Sequence, residues 1–317
     1  MKKKILITGI CGFIGFHLSQ ALLKRGDAVV GLDNFNAYYT PELKRARERH
    51  LGAQGIEIIE ADLSDKALLQ KLFKKHSFTH VLHLAAQAGV RYARENPEAY
   101  IKSNVEGFLA VLETLRHHPE TVLTYASSSS VYGCNEKIPF STTDRTDRPA
   151  NLYAATKKAG ELMAYSYHHL YGIKTTGLRY FTVYGPWGRP DMAYYSFTDA
   201  ILKGDPIRLF NQGQMARDFT YIDDVVAGTI SALDLGAGYE VFNLGNHRPE
   251  PLLRLVEILE KELGKKAKII LEKPSPGEVE TTYADIALST EKLGFFPKTN
   301  LEEGLARFVH WYRTYHL

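Results

Sequence analysis

The sequence predicts an α/β fold built on a doubly wound parallel sheet, followed by a smaller C-terminal α/β domain. Three observations predict it. Short runs rich in branched residues alternate with amphipathic helical runs over the first half of the chain. A glycine-rich turn, TGICGFIG, follows the first strand-like run directly and opens the first helical run. After about residue 180, glycine- and proline-rich loops separate shorter elements.

The elements follow in order along the chain. The predicted strands are KILIT, AVVGLD, IEIIEAD, HVLHLAA, TVLTYASSS and KTTGLRYF. The predicted helices are FIGFHLSQALLKRG, SDKALLQKLFKKH, EAYIKSNVEGFLAVLETLRHH and NLYAATKKAGELMAYSYHHLYG. Such alternation favours right-handed crossovers within a parallel sheet. We divide the chain into domains 1–180 and 181–317, with a helix near 222–235 returning to the first domain and ARFVHWYRTY closing the second.

Composition excludes several classes of protein. The 317 residues are 44% hydrophobic and 24% charged, with a net charge of +3 spread along the chain, which argues against disorder and a nucleic-acid partner. Two cysteines cannot form a secreted disulfide framework, and twelve scattered histidines show no metal-ligand spacing, so we expect no metal.

The sequence shows no targeting or membrane segment. The basic start lacks a cleavage site, and no apolar run is long enough to span a bilayer. We expect a soluble, cytoplasmic protein with no membrane partner.

The turn after the first strand has the spacing of a dinucleotide site. Glycines at positions 9, 12 and 15 allow a tight turn and let the backbone approach a pyrophosphate at the helix N-terminus. Asp33 ends the second strand 18 residues after Gly15, close to the offset of roughly 20 expected for an acid that binds ribose hydroxyls. A carboxylate there repels a 2′-phosphate, so NAD is favoured over NADP. A methyltransferase-like loop and a purely structural turn are the alternatives.

Other strand ends add candidate cofactor contacts. Asp62 and Leu63 follow the third strand, and Leu84, Ala85 and Ala86 end the fourth. Each would be ordinary strand-end packing if taken alone, and only their order along the chain adds weight. The full set of predicted cofactor-binding residues is Gly9, Gly12, Phe13, Ile14, Gly15, Asp33, Asn34, Asn36, Lys44, Asp62, Leu63, Leu84, Ala85, Ala86, Asn104, Tyr153, Lys157 and Tyr180.

Tyr153 and Lys157 form a Tyr-x-x-x-Lys pair at the start of a predicted helix. At i and i+4 they share one helix face, and Tyr153 is the only one of 19 tyrosines with a lysine at that spacing. A nearby ammonium and a positive nicotinamide would lower the tyrosine pKa toward that of a useful base. Serines 127–130 end the fifth strand, where a hydroxyl could shuttle a proton, although serine runs there are usually turn chemistry.

In this order, TGxxGxxG, a serine strand end before VYG, Tyr-x-x-x-Lys and RYFxVYGP resemble the extended short-chain dehydrogenase/reductase family of nucleotide-sugar epimerases and dehydratases. The resemblance spans essentially the whole chain. It implies bound NAD, a Ser/Thr–Tyr–Lys triad, a nucleoside-diphosphate sugar held by the C-terminal domain, and often a homodimer. Ser128, five residues before Gly133, matches the triad serine, and Asn104 in NVEG matches a structural asparagine.

Within that family, Ser129 and Ser130 stand where dehydratases place an Asp-Glu pair, which disfavours dehydration and fits 4-epimerisation. The stretches LDNFNAYYTPELKRAR, AAQAGVRYA, FTVYGPWGRPDMA and RDFTYIDD resemble the UDP-glucuronate 4-epimerase branch. Plain UDP-glucose epimerases typically carry Asn at the place of Thr182. A UDP-glucose 4-epimerase, a UDP-glucuronate decarboxylase and a non-catalytic NAD-binding regulator stay open as alternatives.

The expected substrate contacts are Arg91, Ser128, Ser129, Thr182, Arg189, Arg217 and Glu278. Arg217 suits the diphosphate because guanidinium matches phosphate geometry. Thr182, with Ser129 or Ser130, would fix the sugar carboxylate, and Arg189 would control its orientation, with Arg91 as a weaker candidate. A solvated loop charge is the alternative for Arg189. Glu278 is assigned to the uridine ribose, in a loop where many relatives carry an Arg near Ser275.

Overall fold

The computed structural model describes residues 2–273 and 280–316. Its strands are β1 Lys4–Thr8, β2 Ala28–Asp33, β3 Glu57–Glu60, β4 His80–His83, β5 Val122–Ser128, β6 Thr175–Tyr180, β7 Thr182–Tyr184, β8 Pro206–Leu209, β9 Ala216–Tyr221, β10 Tyr239–Leu244, β11 Pro249–Pro251, β12 Lys268–Leu271 and β13 Thr281–Thr282.

Helices connect most of these strands. They are α1 Phe13–Arg25, α2 Pro41–Ala53, α3 Lys66–Lys75, α4 Tyr92–Glu95, α5 Pro97–Tyr100, α6 Gly107–Leu115, α7 Leu152–Tyr171, α8 Ala193–Lys203, α9 Ile222–Leu235, α10 Leu252–Leu263, α11 Ala287–Leu293 and α12 Leu301–His316. A π-helical turn, Ile101–Glu106, joins α5 to α6, and single 3₁₀ turns lie at Ser129–Tyr132 and Asn211–Gly213.

The central element is a seven-stranded sheet in the order β10-β6-β5-β4-β1-β2-β3, and every pairing in it is parallel. The chain moves outward from β1 through β2 and β3, then returns to the other side of β1 with β4. This reversal opens a crevice at the carboxyl ends of β1 and β4, where ligands bind in folds of this kind. The predicted doubly wound α/β fold is confirmed.

Two apolar clusters cover the faces of the sheet. One joins α3 and α6 to the sheet through buried residues such as Leu72 and Leu112. The other joins α1 and α9 to the sheet and continues without a break to Leu255 of α10 and Phe308 of α12. A single core therefore spans the proposed division near residue 180.

The C-terminal elements form two small sheets. Strand β9 pairs with β11, β13 and β7, and β8 pairs in parallel with β12. Helix α9 occupies 222–235 and packs against α1, β5 and β6, as expected of a helix that returns to the first domain. Strand β10 then adds an edge to the large sheet, a position that the sequence analysis did not assign. The division at residue 180 stays a prediction.

Two further elements differ from the sequence expectation. Helix α2 was not predicted, because seven of the thirteen residues in PELKRARERHLGA are charged or histidine, and its apolar stripe is short. The single helix expected across EAYIKSNVEGFLAVLETLRHH contains the π-helical turn at 101–106. Such bulges often occur at functional sites, and this one carries Asn104.

Candidate active site

A cavity of about 1130 Å³ opens at the carboxyl ends of the central strands, between the large sheet and the C-terminal elements. It follows the crevice from the glycine turn after β1, past Ser128 and Tyr153, to Arg217 on β9. Of the predicted site residues that the structure describes, every one except Asn104 lines this cavity. Glu278 lies outside the described residues.

The glycine turn leaves no room for side chains at two of its positions. A Cβ on Gly9, where φ is +71°, would lie 2.7 Å from the Ala85 backbone nitrogen. A Cβ on Gly15 would lie 2.4 Å from the carbonyl oxygen of Gly9. The backbone of the turn is thereby exposed to the cavity at the N-terminus of α1, whose free N–H groups favour a phosphate. These features fit a dinucleotide.

Asp33 stabilises the glycine turn through hydrogen bonds to the backbone. One carboxylate oxygen accepts the backbone N–H of Cys11 at 3.0 Å, and the other accepts that of Phe35 at 2.9 Å. The side chain is buried but still borders the cavity. Asp33 thus stands where a ribose acid is expected, and it also ties the glycine turn to the loop after β2.

The loop after β2 is held by Lys44 of α2. The ammonium donates to the carbonyl and to the side-chain oxygen of Asn36, at 3.0 and 2.9 Å. Burial lowers the pKa of Lys44. Next to this loop, the Asn34 amide donates to Asp62 at 3.3 Å. Polar groups on two strand ends are therefore grouped around one end of the cavity.

Asn104 does not line the main cavity, and its contacts are those of the structural asparagine that the sequence suggested. Its side chain accepts from the backbone N–H of Gln87 at 2.8 Å and donates to the Gln87 carbonyl at 3.0 Å. It also donates to the Thr156 hydroxyl at 3.0 Å. Asn104 therefore fixes the loop after β4 against the first turn of α7, which carries Tyr153.

The three predicted catalytic residues meet where β5 ends and α7 begins. Asn151 caps α7 by accepting the backbone N–H of Ala154 at 2.9 Å, which sets the direction of the helix beside the sheet. The Ser128 hydroxyl donates to the Ser130 hydroxyl at 3.2 Å, and it lies near enough to the Tyr153 phenol to lower the pKa of that group. One turn later, the Lys157 ammonium donates to the Ala126 carbonyl at 2.8 Å. Serine, tyrosine and lysine thus share one wall of the cavity.

The charges around Tyr153 differ from the sequence expectation. Burial raises the pKa of Tyr153, while the nearby Ser128 hydroxyl and the charge of Arg189 act to lower it. Burial lowers the pKa of Lys157 to about 8. The sequence analysis assigned the lowering of the tyrosine pKa to Lys157. In the structure the cation that acts on the phenol is Arg189, because Lys157 is directed to the strand carbonyl.

A buried ionic network supports this wall, and the sequence analysis missed it. Glu161, one turn beyond Lys157 on α7, accepts the Ser127 hydroxyl at 2.7 Å. Arg179 of β6 donates to both oxygens of Glu161, at 2.8 and 2.9 Å. The signal available in the sequence was Glu161 at the i+4 position from Lys157, which continues the helix face of the Tyr153–Lys157 pair. The network anchors α7 to β5 and β6.

Arg189 is not a solvated loop charge. It makes a bidentate pair with Asp191, at 3.0 and 2.7 Å, and Asp191 also accepts the Tyr38 hydroxyl at 3.1 Å. Tyr38 comes from the loop after β2, so this group joins the two ends of the cavity. Arg189 holds the pKa of Asp191 below its usual value, although burial opposes the shift. Neither Asp191 nor Tyr38 was among the predicted site residues.

The remaining predicted substrate residues border the far half of the cavity. Ser129 and Thr182 flank Ser128 along the ends of β5 and β6, where Ser128 is in register with Tyr180. The Arg217 guanidinium donates to the carbonyls of Ala216 and Glu280, both at 2.9 Å. The Arg91 guanidinium lies over the Phe210 ring, 4.4 Å from its centroid.

The described ranges, 2–273 and 280–316, contain no group of three or more His, Cys, Asp or Glu side chains placed to hold a metal ion. Their helices include none that combines the length and the apolar character needed to cross a membrane.

The chain is similar to proteins of one family. The model of the NAD dependent epimerase/dehydratase family matches residues 5–245. UDP-glucuronate 4-epimerase 4 of Arabidopsis thaliana is 55% identical over 330 aligned positions, which cover 98% of this chain and 76% of that protein. UDP-glucuronate 4-epimerase 1 of the same plant is 54% identical, with 98% and 77% covered.

Solved structures of nucleotide-sugar 4-epimerases also superpose on this chain. UDP-glucuronic acid 4-epimerase from Bacillus cereus, in complex with UDP-glucuronic acid and NAD, superposes with a TM-score of 0.92 at 36% identity, covering 98% of this chain and 99% of that one. UDP-glucose 4-epimerase from Thermotoga maritima, with UDP-glucose, gives a TM-score of 0.88 at 31% identity, with 98% and 99% covered. The similarity in sequence and the similarity in structure therefore both extend over nearly the whole chain.

Proposed function

The chain belongs to the NAD-dependent epimerase/dehydratase family, and from this premise we propose that it is a UDP-glucuronate 4-epimerase that interconverts UDP-glucuronate and UDP-galacturonate. One observation carries the proposal. The Ser128–Tyr153 pair opens onto the same cavity as Arg189 and the hydroxyls of Ser129 and Thr182. The acid–base residues for oxidation at C4 and a set of groups suited to binding a carboxylate therefore line the same cavity.

The residues that would hold NAD are those of the glycine turn, Asp33 and the loop after β2. The steric limits at Gly9 and Gly15 and the exposed helix N-terminus fit a pyrophosphate, and Asp33 disfavours a 2′-phosphate. When bound, NAD takes a hydride reversibly from C4 of the sugar. Because no net oxidation occurs, the reaction needs no supply of fresh cofactor.

Tyr153 is the base of the proposed reaction. Its phenolate removes the proton from the sugar O4 as C4 is oxidised, and returns it when the opposite face of the 4-keto sugar is reduced. Ser128 borders the same cavity as Tyr153, where its hydroxyl can bond the reacting oxygen and relay the proton. Burial favours the neutral form of Tyr153, so its ionisation depends on the nearby cation Arg189 and would be favoured further by the positive nicotinamide ring of bound NAD.

Lys157 supports the same wall from the strand side. Its bond to the Ala126 carbonyl fixes the side chain beneath the cavity, where it can donate to the nicotinamide ribose. Its pKa of about 8 keeps most of the ammonium charged at neutral pH.

The substrate poses a particular problem, because C4 oxidation converts the uronate into a β-keto acid that readily loses carbon dioxide. The carboxylate must be held so that its C–C bond is not aligned with the carbonyl π system. We assign that task to Thr182 with Ser129 or Ser130, which border the cavity as neutral donors, and to Arg189, which Asp191 holds in a fixed plane.

The remaining substrate contacts belong to the same proposal. Arg217 binds the diphosphate and Arg91 faces the same pocket, while Glu278 binds the uridine ribose.

Oligomeric state and compartment are also part of the proposal. The protein is a homodimer, for which the exposed Leu162, Tyr165 and Leu170 of α7 offer an apolar surface. Sedimentation at two protein concentrations tests that state. We place the protein in the cytoplasm, where its free thiols Cys11 and Cys134 stay reduced.

The test is NMR of the purified protein incubated separately with UDP-glucuronate and UDP-glucose, with no NAD added. UDP-galacturonate as the single product supports the proposal and shows that NAD is retained from expression. Conversion of UDP-glucose alone makes the protein a UDP-glucose 4-epimerase, and a pentose product makes it a decarboxylase. No reaction even after NAD is supplied favours a regulatory protein.

A further inference from the structure

Arg47 of α2 is fully buried, and its guanidinium binds two separate loops of the active site. One terminal nitrogen donates to the Cys11 carbonyl at 2.8 Å and to the Tyr39 hydroxyl at 2.9 Å. The other donates to the carbonyls of Trp187 and Gly188, at 2.6 and 3.1 Å. All four terminal N–H groups are used, while the Nε–H group has no hydrogen-bond partner in the described structure.

This charge is unusual because its partners are backbone carbonyls and one hydroxyl. None of the carboxylates in the described part of the chain lies within ion-pair distance of Arg47. Burying a cation without an opposite charge is costly, and removing it here would leave three carbonyls without their donors. An apolar side chain would fill the space on a helix more cheaply, so packing alone does not account for an arginine.

The loop that Arg47 binds also contains backbone strain. Trp187 has φ +59°, a left-handed conformation that residues other than glycine rarely adopt. Its indole ring packs against Phe16 of α1 and Trp311 of α12. The strained carbonyl is the one that Arg47 binds at 2.6 Å. Arg47 therefore stabilises a backbone conformation that places Arg189 two residues later.

The contacts form one continuous path between the two halves of the cavity. Asp33 accepts the Cys11 N–H, the Cys11 carbonyl accepts from Arg47, and Arg47 holds the 187–188 backbone that leads into Arg189. The first end of the path is the dinucleotide turn, and the last is the residue assigned to the sugar carboxylate.

We propose that Arg47 is a positioning residue that links the dinucleotide turn to the loop carrying Arg189, so that one side chain governs both cofactor affinity and protection of the substrate carboxylate. The second half of this inference rests on the proposed function. The effect on cofactor affinity concerns only the dinucleotide turn of this chain and does not depend on the proposed function.

The test compares Arg47→Lys with Arg49→Lys, a matched control on the same helix whose side chain is exposed. Lysine keeps the charge but cannot bind two pairs of acceptors on opposite sides. Calorimetry measures NAD affinity on protein freed of nucleotide, and NMR measures the ratio of UDP-galacturonate to pentose product. We expect Arg47→Lys to weaken NAD binding about tenfold or more and to raise the pentose share, because small displacements of positioned groups have large effects. Arg49→Lys should match wild type in both.

Both changes together support the link. A change in only one of the two measurements, or in thermal stability alone, overturns it, since a merely structural arginine would not alter the product ratio. A wild type that binds NAD but leaves UDP-glucuronate unchanged contradicts the proposed function instead. UDP-glucuronate affinity, measured by calorimetry, then replaces the product ratio as the second measurement.

Should Arg47→Lys fail to fold, Tyr39→Phe provides the second variant. It removes one acceptor of Arg47 and leaves the three carbonyls in place. Both measurements should then move in the same direction as expected for Arg47→Lys, by smaller factors. Values equal to wild type in a folded Tyr39→Phe protein would contradict the link.

Discussion

Arg189 carries a charge that Asp191 and Tyr38 hold in one place. The bidentate pair fixes the plane of the guanidinium, and the Tyr38 hydroxyl fixes the carboxylate in turn. Arg189 also acts on Tyr153 through its charge. The same residue thereby affects both the base and the space in which the uronate lies.

Replacing Arg189 by Ala should raise the ratio of pentose to UDP-galacturonate and lower kcat/KM roughly 10- to 100-fold, because both the carboxylate orientation and the favourable charge near Tyr153 are lost. NMR of the product mixture and steady-state rates check this. The double variant with Asp191→Asn is the control, since it removes the carboxylate that would otherwise be left without its cation. An unchanged ratio at a lower rate rules out this role for Arg189.

Lys157 provides a pH-dependent prediction. Its pKa falls from the ordinary 10.5 to about 8 because burial disfavours the charged form. Below pH 8 the ammonium is charged in both states and destabilises the fold, and above pH 10.5 it is neutral in both. Between these values the folded protein loses its proton first, so stability rises with pH.

The NAD-free wild type should therefore gain up to about 3 kcal/mol of unfolding free energy over Lys157→Met between pH 8 and pH 10.5. Urea titrations of both proteins across this range measure the difference. Other groups titrate in both proteins and cancel. A difference that stays constant with pH would show that burial does not lower the Lys157 pKa.

At the scale of elements, the glycine turn packs directly against the start of helix α1. The close approach of Gly15 to the Gly9 carbonyl is backbone against backbone, so no side-chain movement can relieve a clash there. Helix α2 runs behind the turn and supplies both Lys44 and Arg47. One helix thus positions the cofactor loop on one side and the Arg189 loop on the other.

Gly15→Ala should abolish retention of NAD during purification, because the added Cβ would lie 2.4 Å from a carbonyl oxygen and displace the turn. The nucleotide released on denaturation is measured by absorbance. Gly52→Ala, inside α2 where a Cβ meets no atom within 4 Å, is the matched control and should retain the wild-type amount. Equal retention in both variants would contradict the assigned role of the turn.

At the scale of the whole molecule, one apolar cluster runs from α1 through α9 to α10 and α12. Strand β10 and helix α9, both beyond residue 180, complete the large sheet and one of its faces. The two proposed domains therefore share a core.

We expect a single cooperative unfolding transition in urea for the full chain. Far-UV circular dichroism follows all elements, whereas fluorescence follows Trp187 and Trp311, which both lie in the C-terminal part. Coincident midpoints are expected because the cluster cannot be divided without exposing apolar surface on both sides. Separate midpoints would show that the C-terminal part unfolds independently.

The sequence by itself determined the six strands of the first half of the chain and most of the helices between them, the glycine turn, Asp33 and the Tyr153–Lys157 pair. These depend on spacing within one or two turns of chain, where periodicity and steric limits act locally. The partner of Arg189, the network around Glu161, the position of β10 and the role of Arg47 were decided by the tertiary structure. Arg47 and Trp187 are 140 residues apart, and Tyr38 and Asp191 are 153 apart. Only packing of the loops against α2 and α12 brings such groups together, because no local pattern encodes which distant carbonyl or carboxylate a buried arginine will meet.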